Sequence, residues 1–87
     1  MSLNIEKLKK KIIYRSNYRG TKEMDRLLCS FVSSIIDNLD ENELKNLLNL
    51  LNVDDENLYN FKLGKKININ IENNRITKLF KDYIINK

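Results

Sequence analysis

The segment MDRLLCSFVSSIIDNL, residues 24–39, decides the fold. Its apolar members Met24, Leu27, Leu28, Phe31, Val32, Ile35, Ile36 and Leu39 recur every three or four residues. At roughly 100° per residue they gather on one broad face of a helix about four turns long. A face this wide has to be covered by other elements, so the segment predicts the central helix of a bundle. Lys22, Arg26, Cys29 and Ser33 fall on its outer side. A solvated face accounts for Lys22 and Arg26, and Cys29 reads as a bystander.

The chain downstream continues in helices. Asp40-Glu41-Asn42-Glu43 reads as a helix start, with Asp40 as cap and Glu43 three residues on in a variant of the capping box. Leu44, Leu47, Leu48 and Leu51 supply the buried stripe, and Asn52-Val53-Asp54 ends it. Asp54 or Asp55 caps a short fourth helix carrying Leu58, Tyr59 and Phe61, all three read as core. Gly64 stands where a glycine closes a helix. Residues 65–71 alternate polar and apolar through Ile67, Ile69 and Ile71. Alone that is a strand pattern, but a lone strand without a partner is unstable, so the segment predicts an extended connector. A last helix is expected from about Glu72 to Ile85, with Ile76, Leu79, Phe80 and Tyr83 or Ile84 inward. Upstream, a first helix is expected from Asn4, as cap, to Arg15, with Ile5, Leu8 and Ile12 inward and the lysines from Lys7 to Lys11 toward water.

The 87-residue chain holds no proline and two glycines, so helix is the default and one domain, residues 1–87, is expected. The fold class is all-α, a small five-helix bundle. No apolar run reaches the ~20 residues that span a bilayer, and the first residues lack the features of a signal or transit peptide. Histidine is absent and cysteine occurs once, at Cys29. These counts remove the commonest general base, the commonest metal ligands and any internal disulfide. No phosphate-binding glycine loop and no nucleophile–base pair is visible. The net charge of +4 raises a nucleic-acid alternative, carried by the lysine-rich first helix. A solvated helix face explains those lysines as well.

Just before the central helix lies YRSNYRGTKEMD, residues 14–25. Two Arg, two Tyr, a Gly and two acids fall within it. Gly20 has two readings: a local one, at a helix start or at positive φ, and an external one, in which the missing Cβ lets a partner's backbone approach. Arg19 and Glu23 sit four apart, but Arg before Glu is the weaker order for a helical ion pair. Glu23 falls in the first turn, where the helix dipole favours a carboxylate that can bond back to the cap N–H. Arg19 is then free to present its planar donor fork outward. Asp25 lies at the edge of the buried stripe and needs a partner, either Arg15 or Arg19 inside the chain or a group on another protein.

These residues, followed by Leu27-Leu28 and Phe31, resemble the succinate dehydrogenase flavin assembly factors, small bacterial and mitochondrial proteins with an Arg-Gly-x-x-Glu motif. Here the motif is Arg19, Gly20 and Glu23. The resemblance covers roughly residues 5–63 and includes DENLYNF at 55–61, with Phe61 where the family usually has Trp and Tyr18 where a basic residue is usual. It implies a five-helix bundle that is not an enzyme and holds no cofactor stably. It implies binding to the flavoprotein subunit of succinate dehydrogenase, and in some members of fumarate reductase, where covalent FAD attachment is promoted. FAD then belongs to the client subunit. The implied partner-binding residues are Arg15, Tyr18, Arg19, Gly20, Glu23 and Asp25. No nucleic acid and no membrane insertion are implied. The expected location is a bacterial cytoplasm, ahead of a mitochondrial matrix.

Overall fold

Thr21 starts the central helix. Its backbone is extended (φ −129°, ψ 157°) and its side-chain oxygen accepts the Met24 N–H at 3.2 Å. One of the four orphan donors of a helix start is satisfied in this way. The structure is a computed structural model that describes residues 2–17 and 20–83. It holds α1 (Ser2–Ser16), α2 (Lys22–Ile35) with a single 3₁₀ turn at Ile36–Asn38, α3 (Glu41–Leu51), α4 (Asp55–Lys62) and α5 (Arg75–Asp82). There is no strand among the described residues. The all-α five-helix architecture is therefore as the hydrophobic spacing predicts.

The apolar stripe of α2 enters the core. Leu28, Phe31 and Val32 are all but fully buried, with Ile12 from α1, Leu44, Leu47 and Leu51 from α3, Leu58 from α4 and Ile76 and Phe80 from α5. Each such side chain contributes about 1.5–3 kcal/mol through the area it removes from water. α1 packs on α3 and α2, α3 packs on α5, and α4 packs on α5. The Phe31 ring lies 5.3 Å from the Phe80 ring and 5.3 Å, edge-on, from that of Tyr83. The Tyr83 and Ser30 hydroxyls are hydrogen-bonded, which ties the end of α5 to the middle of α2.

The helix starts follow their capping residues. Asp40 and Glu43 form a reciprocal box at α3. Asp54, and not Asp55, caps α4 by accepting the Asn57 N–H. Gly64 carries the positive φ of a helix terminator, 77°. Three boundaries differ from the sequence expectation. α1 starts at Ser2, so Asn4 lies inside its first turn and caps nothing. No Gly or Pro separates Ser2 from Asn4, so nothing stops the helix there. α5 starts late, because Asn74 and Thr77 exchange side-chain bonds at 2.9 Å and fix the helix start behind them. It stops at Asp82, and Tyr83 is extended; Ile84 and Ile85 lie outside the described residues. Residues 65–73 carry no helix or strand, as expected for a connector. Ile67 and Ile71 pack against the core while Ile69 is exposed. No helix among the described residues is long and apolar enough to cross a membrane.

Candidate partner-binding site

Two helix starts meet at Gly20. This residue precedes the cap of α2, and its N–H donates to Asp55 Oδ2 in the first turn of α4 at 2.6 Å. A Cβ built on Gly20 would sit 3.0 Å from the same oxygen. The glycine here relieves a close approach and does not serve a left-handed backbone, which Gly64 takes instead. The group that approaches is part of this chain. A partner's backbone, the external reading of Gly20, is therefore not required to explain the residue.

Beside this junction lies a cavity of about 610 Å³ lined by Gly20, Thr21, Glu23, Met24, Asp55, Glu56 and Tyr59. Glu23, Met24 and Tyr59 also line a second cavity, of about 640 Å³, which continues past Leu27 and Leu63 to Lys62, Lys81, Asp82 and Tyr83. Together they form a groove between α2 and α4 that is acidic at the Gly20 end and carries lysines at the other. Its apolar wall is exposed at Tyr59 (50%) and Leu63 (51%). Large apolar side chains left half in water beside a groove mark a place where another surface can gain by covering them.

The far end of the groove is built rigidly. Lys62 Nζ donates to the carbonyl oxygens of Phe80, at 2.7 Å, of Lys81, at 3.2 Å, and of Tyr83. A cation there satisfies the orphan carbonyls of α5 at the negative end of its dipole. Burial pushes the Lys62 ammonium below the ordinary lysine pKa, and the Asp82 carboxylate opposes that shift. Lys81 in turn stands 4.9 Å over the Phe61 ring.

The expected partner-binding residues divide between this groove and elsewhere. Gly20 and Glu23 line it. Glu23 is exposed, and among the described residues it makes no bond back to the cap of α2, contrary to expectation. The cap is Thr21, so Glu23 falls one residue short of the position that could reach back. Arg15 is exposed at the end of α1. Tyr18 and Arg19 lie outside the described residues, so the outward pointing of Arg19 does too. Asp25 is half-buried, as expected at the stripe edge, but it faces Cys29 at 3.9 Å and forms no ion pair with Arg15 among the described residues.

Two sequence readings are corrected. Cys29 is not on an outer face. Its thiol is half-buried under the end of α1, donates to the Ser16 carbonyl at 3.3 Å and bonds the Asn17 side chain. Burial pushes the Cys29 thiol up from its ordinary pKa, and the hydrogen bond donated by the Ser16 hydroxyl, 4.0 Å away, works against that. Tyr59 is not core but half exposed on the groove. Asp55, Glu56 and Leu63 were not singled out as site residues. The available signal was that Asp55, Tyr59 and Leu63 are four apart on the face of α4 away from Leu58 and Phe61.

Comparison with known proteins places these features in a family. The profile of a family described as flavinator of succinate dehydrogenase matches residues 10–84. The chain is 43% identical over 61 residues to the mitochondrial succinate dehydrogenase assembly factor 2 of Dictyostelium discoideum, covering 70% of this chain and 43% of that protein. It is 35% identical over 49 residues to the Arabidopsis thaliana protein of the same name, covering 56% and 26%. It is 46% identical over 46 residues to the FAD assembly factor SdhE of Legionella pneumophila (strain Lens), covering 53% and 58%. The chain thus spans between about a quarter and three fifths of these relatives' lengths. No solved structure matches at a comparable level. The match over residues 10–84 takes in α2 to α5, the groove and the Gly20 junction, and the chain belongs to the flavinator of succinate dehydrogenase family.

Proposed function

We propose that this chain binds the flavoprotein subunit of succinate dehydrogenase and promotes the covalent attachment of FAD to it, without catalysing a step itself. The observation that carries this reading is the groove between α2 and α4, which sets Gly20 and Glu23 of the motif beside the exposed ring of Tyr59. An exposed aromatic in an apolar wall with charges at both ends suits a protein surface. FAD itself is a poor match for the cavity at Gly20, where Glu23, Asp55 and Glu56 would face its pyrophosphate. In this reading FAD stays with the client, and the chain favours a client conformation in which flavin and target side chain are aligned. That effect is bounded by the difference in affinity for the two client conformations. The flavoprotein of fumarate reductase is a second client in the same reading.

The test is co-expression of the client subunit with and without this chain, followed by fluorescence of covalently bound flavin after denaturation. Covalent flavin rises when the chain is present. Equal flavin in both arms overturns the proposal. The nucleic-acid alternative loses two of its lysines to acids: Lys9 lies 3.5 Å from Asp37 and Lys45 lies 3.5 Å from Glu41.

A further inference from the structure

We infer that Asp55 is a positioning residue for the motif loop, and that residue 20 is glycine because of Asp55 and not because of a partner. Three observations carry this. The Gly20 N–H and Asp55 Oδ2 are 2.6 Å apart across 35 positions of sequence. A Cβ at residue 20 would meet that oxygen at 3.0 Å, where the carboxylate has to move or the loop has to lift. Asp55 is the first residue of α4, directly after the cap Asp54, so its carboxylate reaches Gly20 from a helix start that is itself capped.

The consequence is geometric. Gly20 is followed at once by Thr21, the cap that sets where α2 begins. A bond from Asp55 to the Gly20 N–H therefore fixes the loop against α4 one residue before the helix starts. It also holds Glu23 and Tyr59 across one cavity. A carboxylate is the stronger acceptor for an N–H than a neutral oxygen. Where this positioning bears on client binding it rests on the proposed function; the contact itself does not.

The contact predicts a coupling between two substitutions. Gly20→Ala places a methyl group against Asp55. Asp55→Ala removes the obstruction together with the acceptor, and Asp55→Asn keeps an acceptor oxygen while removing the charge. Amide exchange of residue 20, read by NMR on the folded chain, speeds up about tenfold or more in Asp55→Ala, the scale of one charge-assisted hydrogen bond. Asp55→Asn restores part of the protection. In pull-down or calorimetry with the client flavoprotein subunit, Gly20→Ala weakens binding in the Asp55 background and adds nothing further in Asp55→Ala. Equal losses in both backgrounds overturn the inference, because the methyl group then meets the partner. Exchange at residue 20 that is indifferent to Asp55 overturns it as well. If wild type fails to bind the client while exchange at residue 20 still depends on Asp55, the proposed function falls and the positioning contact stands.

Discussion

Lys62 Nζ and the Phe80 carbonyl oxygen lie 2.7 Å apart, so the end of α4 is bolted to the end of α5 by a single ammonium group. The same nitrogen stands 5.3 Å from the centre of the Phe80 ring. Replacing it with an apolar side chain of similar length leaves the terminal carbonyls of α5 to water. Lys62→Met is expected to cost about 1.5 kcal/mol, the lower end for hydrogen bonds to a charged group. Chemical denaturation of the two proteins measures it.

The same residue has a pH signature. Burial lowers the folded-state pKa of Lys62, so the folded protein releases this proton before the unfolded chain does. The cost of burying the charge is fully present below the lowered folded value. It is relieved as pH rises through the ordinary lysine value of about 10.4. Wild type should therefore gain stability relative to Lys62→Met across that window. Denaturation midpoints on either side of it decide the matter, and a relative loss by wild type would contradict the burial.

Asp54 works in the opposite sense. Its carboxylate caps α4, and the side-chain and backbone donors of Asn57 hold its pKa below the usual carboxylate range. A depressed acid contributes stability above its unfolded pKa and loses it as pH falls through the lower folded value. Asp54→Ala is expected to be less stable than wild type at neutral pH, and the gap should close in acid. Thermal melts at neutral and acidic pH read both ends. Because α4 carries Asp55 and Tyr59, this variant should also loosen the groove.

These expectations separate what the sequence discloses from what it hides. The stripe of α2 is legible because Leu28, Phe31 and Val32 obey a period that only a helix has. The box of Asp40 and Glu43 and the positive φ of Gly64 are legible because each is a local rule satisfied within a few residues. The junction of Gly20 with Asp55 obeys no local rule. Its partners are 35 residues apart, and only the packing of α4 beside the start of α2 joins them. Tyr59 misleads for a related reason: aromatic type suggests burial, while its position on α4, about 100° from Leu58, leaves half of it in water. Cys29 misleads because the end of α1 covers a face of α2 that the helical wheel leaves open.

Cys29 also makes a chemical prediction. Its thiol is partly buried, and burial, the largest effect, raises its pKa. The thiolate is the reactive form, so alkylation at neutral pH should run slower than for a free cysteine in the unfolded chain. Timed labelling with iodoacetamide, read by mass, checks this with and without denaturant. Equal rates in the two conditions would remove the buried-thiol account.

The groove yields the prediction closest to function. Tyr59 is half exposed and lines both cavities, so within the groove it is the aromatic side chain with most to gain from a covering surface. Exposed aromatics of this kind often dominate binding, and truncating one that becomes buried costs about 2 kcal/mol or more. Tyr59→Ala should therefore weaken association with the client flavoprotein subunit by more than tenfold. The fold should survive, because Leu58 and Phe61 keep α4 on the core. Lys10 and Lys45 line a different cavity, between α1 and α3, and make the control. Reversing their charge should leave client binding unchanged at physiological salt. If the lysine variants lose the client and Tyr59→Ala keeps it, the partner docks on α1 and α3 and the groove is not its site.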